Sequence, residues 1–434
     1  MTDLTLPSGW RPRPHQQRLW DHMEGGGRRA VAVWHRRAGK DATALNWTAV
    51  AAHQRIGTYW HMLPTATQGR LVVWDGRDSQ GRRFIDQAFP PSLRKATRND
   101  RMTVELKCGS IWQVLGSDNY DRLVGANPVG VVFSEWSLTD PRAWDYVRPI
   151  LAENGGWALF IYTPRGKNHG FELYDIARHH GDWFAEQLSV EDTGILRPEI
   201  LAAERSSGMS EALIRQEYYC SFEAANEGSY YGRLLEQAEQ AGRVTRVPWQ
   251  PELAVDTWWD LGIGDSTAIW FAQRAGLELH LIDYYEASGE GLAHYAKALQ
   301  DRGYVYGTHW APHDIQVREL GTGKSRLEVA KGLGIPFRVA PRLSVEDGIE
   351  AVRNLLPRAW FDAEKCREGL RALKSYHRGF NERRQAYLPH PVHDWSSHGS
   401  DAFRTGAVTN RERHAIERSP HGPRGRRRTS YMSQ

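Results

Sequence analysis

A basic turn that contains glycine joins a short apolar strand to an alanine-rich helix near the start of the chain. Residues 31–45 read VAVWHRRAGKDATAL. In such a turn the backbone N–H groups and the helix N-terminus converge on one point, which the amine of Lys40 can reach. The pattern predicts a phosphate-binding loop in which Arg37, Ala38, Gly39 and Lys40 contact a nucleotide.

The loop departs from the strict P-loop pattern, which has Gly at position 34 and Ser or Thr at position 41. The chain carries Trp34 and Asp41 there. A second segment, residues 128–136, reads PVGVVFSEW and is an apolar strand that ends in an acid. In enzymes that transfer phosphoryl groups, a carboxylate at the end of such a strand helps to hold Mg²⁺ and the next one polarises the attacking water.

The usual Asp-Glu pair of that strand is replaced here by Ser134 and Glu135. A Mg²⁺ site on a nucleotide usually takes a hydroxyl from the loop and a carboxylate from the strand, so the two ligand types are exchanged in this chain. We therefore predict that Asp41 and Ser134 lie close to one Mg²⁺ and that Glu135 is the catalytic base. The alternative is that Glu135 only caps a buried strand.

Three carboxylates in the second half of the chain predict a different metal site. Asp260 ends a strand in WDLGIGDSTAIW, Asp314 ends another in HWAPHDI, and Asp401 lies near the start of a helix in HGSDAFRTGAV. Acids placed in this way can converge on two divalent ions, which clamp the attacking and leaving oxygens of a phosphodiester. The DLGxxDST opening is a known entry to ribonuclease H-like folds, so this half is interpreted as a nuclease. An inactive or purely structural arrangement is the alternative.

Two other motifs compete with these sites. His390, His393 and His398 flank two carboxylates, and imidazole suits zinc better than magnesium. Their spacing matches no compact zinc motif, which favours oxygen ligands and makes His398 an outer partner of the acids. GTGKS at residues 321–325 looks like a second phosphate loop, but Arg318 stands where the first Gly is required and no apolar strand leads into it.

The first half of the chain alternates strands with helices, which predicts a mostly parallel sheet covered by helices on both faces. The strands are expected at residues 29–34, 57–63, 103–107, 110–116, 130–134 and 157–163, and the helices at 42–53, 68–88 and 206–222. Ligands of such sheets lie at the carboxyl ends of the strands, where both the phosphate loop and Glu135 fall.

The second half begins again with strands after a segment rich in Gly and polar residues, EAANEGSYY at 223–231. Strands are expected at 257–260, 267–273, 277–285 and 308–312, and helices at 292–301, 325–332 and 345–356. The fold class is therefore α/β, with an N-terminal P-loop (RecA/ASCE-like) ATPase domain of mostly parallel sheet and an α/β ribonuclease H-like nuclease domain. The expected boundaries are 1–225 for the ATPase domain, 226–250 for a linker, 251–410 for the nuclease domain and 411–434 for a basic flexible tail.

Composition limits the class of protein. The chain has 434 residues, enough for two domains with separate cores. Charged residues make up 25%, and no apolar run approaches the ~18 residues that a membrane span needs, so no membrane contact is expected. Three widely separated cysteines argue against a disulfide scaffold and fit a reducing cytosol. A net charge of +4 and the arginine-rich run at 424–428 permit contact with nucleic acid without requiring it.

The motifs in this order resemble the large subunit of the DNA-packaging terminase of tailed bacteriophages. The resemblance extends from about Arg13 to Thr409 and rests on HRRAGKD, VVFSEW, YTPRG, EGSYY, WDLGIGDSTA and HGSDAFR. It implies a motor that hydrolyses ATP with Mg²⁺ to drive viral double-stranded DNA through a portal, and an endonuclease that uses Mg²⁺ or Mn²⁺ to cut concatemeric DNA. It also implies the portal protein and the small terminase subunit as partners, a ring of copies on the portal, a monomer in solution, and the host cytoplasm as location.

The resemblance assigns roles to individual residues. Gln16 corresponds to the glutamine that reads adenine, and Thr163 to the residue that senses the γ-phosphate. Arg36 or Arg37 stands where terminases carry a charge-stabilising arginine. Arg122 resembles an arginine that acts near a nucleotide, either within one subunit or across a subunit boundary. The loop lysine would contact the β- and γ-phosphates, and the three carboxylates of the second half fall on the nuclease acids.

Two other functions stay open at this point. A helicase-nuclease of DNA repair would share several motifs, but it needs a second motor lobe, and the roughly sixty residues between YTPRG and the linker are too few for one. A non-catalytic nucleotide-binding scaffold would account for the changed loop and strand residues, whereas the retained Glu135 and the three later carboxylates argue against it. A Mg²⁺-dependent ATPase activity would exclude the scaffold.

Overall fold

The computed structural model describes residues 6–123, 125–223, 228–262, 266–316, 325–381 and 386–417. It divides into two compact units, of which the first comprises Met1–Arg233 and Lys374–Ser396 and the second Leu234–Leu373 and Ser397–Gln434. Within the described ranges, no helix has both the length and the apolar character that crossing a bilayer requires.

The sheet of the first unit is mostly parallel. Its described strands are β1 (Arg29–Trp34), β2 (Thr58–Leu63), β3 (Arg94–Arg98), β4 (Thr103–Leu106), β5 (Ile111–Gly116), β6 (Pro128–Ser134), β7 (Trp157–Tyr162) and β8 (Trp183–Leu188). Their order is β3-β4-β5-β2-β6-β7-β1-β8, and every pair from β5 to β8 in that order is parallel. One strand, β7, therefore separates β1, which leads into the phosphate loop, from β6, which ends in Ser134. This is the ASCE-like order, and it confirms the predicted fold class.

Buried strands and packed helices explain why this sequence forms such a sheet. All of β6 is buried, as expected for a central parallel strand covered on both faces. The described helices of this part of the chain are α1 (Gln17–Glu24), α2 (Lys40–Gln54), α3 (Ala66–Gly69), α4 (Phe84–Ala88), α5 (Arg142–Asn154), α6 (His169–His179), α7 (Val190–Thr193), α8 (Pro198–Ser206) and α9 (Glu211–Glu217). The long helix α2 is rich in alanine and lies under the phosphate loop, so its N-terminus faces the carboxyl end of the sheet.

The second unit contains a mixed sheet. Its described strands are β9 (Val244–Thr245), β10 (Val255–Leu261), β11 (Ser266–Ala275), β12 (Glu278–Ser288), β13 (Tyr306–Ala311), β14 (Phe337–Val339) and β15 (Ala359–Asp362). The order is β14-β13-β10-β11-β12-β15-β9, in which β10, β11 and β12 pair antiparallel while β13 runs parallel to β10 on its other side. In a ribonuclease H-like sheet, three consecutive strands pair antiparallel and further strands pair parallel to the free side of the first one. The second unit has this arrangement, which confirms the fold class of this half.

The remaining described elements complete the two units. They are the helices α10 (Gly232–Gln240), α11 (Leu292–Arg302), α12 (Arg326–Gly332), α13 (Val345–Leu355), α14 (Arg367–Ser375) and α15 (Trp395–Glu417), and the strands β16 (Arg378–Asn381) and β17 (Ala386–Pro391). The pair β16–β17 is an antiparallel hairpin that groups with the first unit, although in sequence it lies between the two segments of the second unit.

Backbone hydrogen bonds fix the returning segment 374–396 to the first unit. Tyr230 N donates to Tyr376 O at 3.0 Å, and Arg378 N donates to Gly228 O at 2.8 Å. The rings of Tyr230 and Tyr376 also contact each other in a tilted arrangement, with 5.3 Å between their centroids. The GSYY residues, which lie between the two halves of the chain, are therefore among the residues that segment 374–396 contacts.

Two sequence expectations about helices were wrong. Residues 206–222 were expected to form one helix, but α8 ends at Ser206 and α9 begins only at Glu211 because Gly208 has a φ of 96° and Ser210 caps the new helix. Residues 68–88 were expected to be largely helical, but the segment is interrupted around Gly81, whose φ is 79°. The edge strands β3 and β8 were not expected because they are polar and only partly buried.

Close packing of α15 on β10 leads to a prediction about stability. A Cβ added at Gly406 would overlap the indole ring of Trp258, whose neighbour across the interface is Phe403 at 5.4 Å. We expect Gly406→Ala to lower the free energy of unfolding by about 1–3 kcal/mol, because overpacking forces neighbouring side chains out of their rotamers. The matched control is Gly332→Ala, where an added Cβ meets open space. Equal melting temperatures for the two variants would contradict this packing.

Candidate active site

The phosphate loop joins β1 to α2, and Lys40 is its most constrained side chain. Lys40 is nearly buried, and its Nζ donates to Trp34 O at 3.1 Å and to Thr163 Oγ1 at 2.9 Å. Thr163 follows β7 directly, so these hydrogen bonds tie together the carboxyl ends of two neighbouring strands. An ammonium held at this edge of the sheet is placed to attract the phosphates of a ligand.

The backbone of the loop is shaped for close approach. Gly39 has a φ of 83°, which strongly favours glycine, and a Cβ there would lie 2.7 Å from Gln16 Nε2 and displace that amide. Arg37 has a φ of 72°, which is unfavourable for a residue with a side chain, and its side chain is exposed. Backbone strain of this kind clusters at functional sites.

Gln16 lies against the loop. It is buried, its Nε2 donates to Ala38 O at 2.9 Å, and its Oε1 accepts from Arg13 N at 3.0 Å. His15 Nε2 also lies 3.0 Å from Ala38 O. The structure thus places Gln16 as a support of the phosphate loop, and its contact with adenine stays a prediction.

The structure brings Asp41 and Ser134 together. Ser134 Oγ donates to Asp41 Oδ1 at 2.7 Å, and His61 Nε2 lies 3.1 Å from the same oxygen. The exchange of ligand types predicted from the sequence requires this contact between the loop and the strand, while the metal itself stays a prediction. His61 is a member of the site that the sequence analysis missed, because only the pairing of β2 beside β6 places it there.

Charge decides the protonation state of Asp41. Burial alone would raise its pKa, but the hydrogen bonds from His61 and Ser134 and the charge of Lys40 outweigh burial, so the pKa lies below its ordinary value. Asp41 is therefore a carboxylate at neutral pH. An ionised carboxylate beside a serine hydroxyl is a suitable oxygen pair for a hard divalent cation.

Glu135 lies in an unusual conformation directly after β6. Its φ and ψ of 54° and 45° are left-handed, a conformation that is rarely adopted by a residue with a side chain. Burial raises the pKa of Glu135 above its ordinary value, although the charges of Lys40 and Arg165 oppose the shift. A carboxylate whose pKa is raised towards neutrality suits a general base.

The candidate arginines have different surroundings. Arg36 N donates to Glu217 O at 2.8 Å, and Arg36 Nη1 lies 3.8 Å from Glu217 Oε2. Arg165, which belongs to the YTPRG motif, forms an ion pair with the same carboxylate. The side chain of Arg122 lies outside the described part of the structure, although its backbone belongs to the short 3-10 helix Ser117–Leu123.

The three carboxylates of the second unit lie on elements that are neighbours. Asp260 ends β10 beside the parallel strand β13, and its Oδ2 is 3.4 Å from His398 Nδ1. Asp314 is exposed in the turn after β13, and Asp401 on α15 pairs with Arg404 at 3.0 Å. The segments 263–265 and 317–324, which follow two of these acids, are outside the described residues.

No group of three or more His, Cys, Asp or Glu side chains within the described ranges is close enough to hold a metal ion. The nuclease metal site therefore stays a prediction, as does the convergence of its three acids. The rival zinc site receives no support either, because none of its three histidines belongs to such a group among the described residues. Of the GTGKS motif only Ser325 is described, and it caps α12 by accepting from Glu328 N at 3.2 Å.

Together these features define a class of protein: an α/β unit of ASCE-like strand order with a loop suited to phosphate, joined in one chain to a ribonuclease H-like unit. The chain is a sequence relative of phage terminase large subunits, as its motifs predict. It is 26% identical over 177 residues to the terminase large subunit of Thermus phage G20c, covering 37% of this chain and 36% of that protein. It is 23% identical over 333 residues to that of Escherichia phage T5, covering 70% of each chain.

The extent of these matches differs between relatives. The chain spans about a third (36%) of the length of the two Thermus phage proteins it matches. The solved ATPase domain of the large terminase of Thermus phage P74-26 superposes with a TM-score of 0.42 at 21% identity, covering 49% of this chain and 95% of that domain. No protein-family model matches the chain.

Removal of the Asp41 carboxylate gives a direct test of the exchanged ligand set. We expect Asp41→Ala to lower Mg²⁺-dependent ATP hydrolysis by about 10²-fold or more, since a hydrogen bond or ligand bond to a charged group contributes about 1.5–3 kcal/mol and the divalent charge would also be misplaced. The measurement is the rate of phosphate release over a Mg²⁺ titration. Hydrolysis at the wild-type rate would show that Asp41 has no part in holding the ion. Asp145→Ala, on the exposed face of α5, is the control.

Proposed function

We propose that this chain is the large subunit of a phage DNA-packaging terminase. In this proposal the first unit hydrolyses ATP to drive double-stranded viral DNA into a procapsid, and the second unit is a metal-dependent endonuclease that cuts concatemeric DNA. The portal protein and the small terminase subunit would be its partners, with several copies forming a ring on the portal and a monomer in solution. It would act in the cytoplasm of the host.

The observation that carries the proposal is the set of contacts around one point of the first sheet. Lys40 contacts Thr163 at 2.9 Å, and Asp41 contacts Ser134 at 2.7 Å, so loop, acid strand and the strand between them meet there. Glu135 follows immediately on the same strand. A core or capping function alone would not require an ammonium, a carboxylate and a base to share one partly open edge of a sheet.

The donor set fits ATP with Mg²⁺. The ammonium of Lys40 suits a phosphate oxygen, and the oxygens of Asp41 and Ser134 suit Mg²⁺. Bound ATP would supply the phosphoryl group, and Mg²⁺ would supply positive charge that offsets the negative charge on the phosphoryl oxygens. The residues of the chain would orient these groups, and Glu135 would take the proton of the attacking water.

The nuclease half of the proposal has narrower support. β10 and β13 end at the same edge of the second sheet, which supports the proximity of Asp260 and Asp314. α15 carries Asp401 and packs across β10 and β11 through Phe403. Mg²⁺ or Mn²⁺ would be bound by these acids, with His398 as an outer partner of Asp260.

The alternatives are less well supported by the fold. A helicase-nuclease would need a second parallel motor sheet, whereas the described strands of the second unit form a sheet that contains an antiparallel trio. A scaffold without catalysis would have no need for a raised pKa at Glu135 or an ionised Asp41. Both alternatives make different predictions about hydrolysis and cleavage.

The first experiment is an assay of purified protein for ATP hydrolysis and for plasmid cleavage with Mg²⁺ and with Mn²⁺. We expect Lys40→Ala to weaken ATP binding by about 10- to 10²-fold, because a charge-assisted hydrogen bond contributes about 1.5–3 kcal/mol. Plasmid cleavage by the same variant should equal that of the wild type. A wild-type protein that neither hydrolyses ATP nor cuts DNA under any metal would favour the scaffold.

A further inference from the structure

Glu217, the last residue of α9, lies beside the phosphate loop and contacts two arginines. We propose that Glu217 is a positioning residue of the ATPase reaction: it holds Arg36 at the edge of the loop until a γ-phosphate is bound, and Arg165 neutralises it once Arg36 has moved. This inference rests on the ATPase activity proposed above. Neither the motif pattern nor the comparisons assign any role to Glu217.

The two oxygens of the Glu217 carboxylate are engaged differently. Oε1 accepts from Gln216 Nε2 at 2.9 Å and from Arg165 Nη1. Oε2 lies 3.8 Å from Arg36 Nη1, which is an ion pair too long to be a hydrogen bond. The pair with Arg165 is therefore the tight one, and the pair with Arg36 is the one that can separate.

Burial of the Glu217 carboxylate means that at least one of the two arginines must stay beside it. The side chain of Glu217 is 3% exposed, whereas those of Arg36 and Arg165 are 25% and 28% exposed. Burial would raise the pKa of Glu217, but the charges of the two arginines outweigh burial and keep the pKa below its ordinary value. A buried carboxylate without a cation is strongly destabilising. Because Arg165 remains beside Glu217, the side chain of Arg36 can move away without leaving a buried carboxylate that has no cation.

The backbone limits where Arg36 can go. Arg36 N donates to Glu217 O at 2.8 Å, so the loop is anchored to the end of α9 while the guanidinium stays partly exposed. The side chain can therefore swing over the loop towards a bound phosphate without displacing the main chain. An arginine so placed contributes about 10³- to 10⁵-fold to the hydrolysis of a γ-phosphate, provided its position is correct.

The test compares Glu217→Gln with Glu211→Gln, which removes an exposed acid from the other end of the same helix. We expect Glu217→Gln to lower kcat by about 10²-fold, the loss that a displacement of about 1 Å can cause. The dissociation constant for ADP, which lacks the γ-phosphate, should be unchanged. Glu217→Asp, which keeps the charge, should retain most of the wild-type kcat.

A wild-type kcat in Glu217→Gln would overturn the inference. A parallel loss of ADP binding and of melting temperature in both Glu217 variants would also overturn it, because it would show a merely structural role. Failure of the proposed function would differ from both outcomes, since wild type and Glu211→Gln would then lack hydrolysis as well.

Discussion

Replacement of Glu135 by Gln is expected to lower the kcat of ATP hydrolysis by about 10²- to 10⁴-fold, the range over which a positioned general base contributes. Glutamine keeps the size of the side chain but cannot take a proton from water. Nucleotide binding should be nearly unchanged, because Lys40 and the loop are untouched. The measurement is single-turnover hydrolysis together with the binding of ADP and of a non-hydrolysable ATP analogue.

The pKa of Glu135 adds a pH dependence to this prediction. Burial raises its pKa, so wild-type kcat should rise with pH through a value above that of an ordinary glutamate, and the variant should lose this limb. The pKa of Glu135 is therefore higher in the folded state than in the unfolded state. At pH values above the ordinary glutamate pKa, its ionisation lowers the free energy of unfolding. Glu135→Gln should therefore melt at the wild-type temperature or higher at neutral pH.

Glu153→Gln is the matched control for this variant, since Glu153 is exposed on the neighbouring helix α5. It should keep wild-type hydrolysis and the wild-type pH profile. If Glu135→Gln also hydrolysed ATP at the wild-type rate, Glu135 would only cap the strand, which is the alternative that the sequence leaves open.

The second large effect is expected in the other unit. Asp260→Asn should lower Mg²⁺- or Mn²⁺-dependent plasmid cleavage by about 10³-fold or more, because the loss of a carboxylate that would bind the metal removes several kcal/mol of metal-ion stabilisation and each 1.36 kcal/mol is tenfold in rate. ATP hydrolysis should be unaffected. A double assay of cleavage and phosphate release on the same preparation measures both.

Asp301→Asn is the control for the nuclease variant. Asp301 forms an exposed pair with Lys297 on α11, and such pairs contribute little to stability or activity. Cleavage that survives in Asp260→Asn would remove the carboxylate site from the proposal, and a loss of melting temperature would point to a packing role instead. Binding of Mn²⁺ measured by calorimetry distinguishes these outcomes, since only loss of a ligand weakens it.

Local patterns in the sequence were sufficient to predict the central strands of the first sheet and its loop. The apolar run of β6 and the basic turn before α2 carry their signal within ten residues, so their place at the carboxyl edge follows from parallel pairing alone. The contact between Asp41 and Ser134 could also be anticipated, because the two changed residues compensate each other chemically.

Other residues of the site are not marked by any local sequence pattern. His61 and Glu217 reach the loop only because β2 lies beside β6 and α9 ends beside the turn, and neither neighbour relation is encoded in a short pattern. The edge strand β8 was not predicted for a related reason. It pairs with one strand only and is partly exposed, so its sequence need not be apolar.

The return of segment 374–396 to the first unit has a consequence for co-translational folding on the ribosome. The hairpin β16–β17 and the partner of Tyr230 are synthesised only after the whole of Leu234–Leu373 has emerged. At roughly 5–20 residues per second, the nascent first unit must wait about 7–28 s with one part of its surface unfinished. The first unit is thus completed only after most of the second unit has been synthesised, and α15 of the second unit follows last.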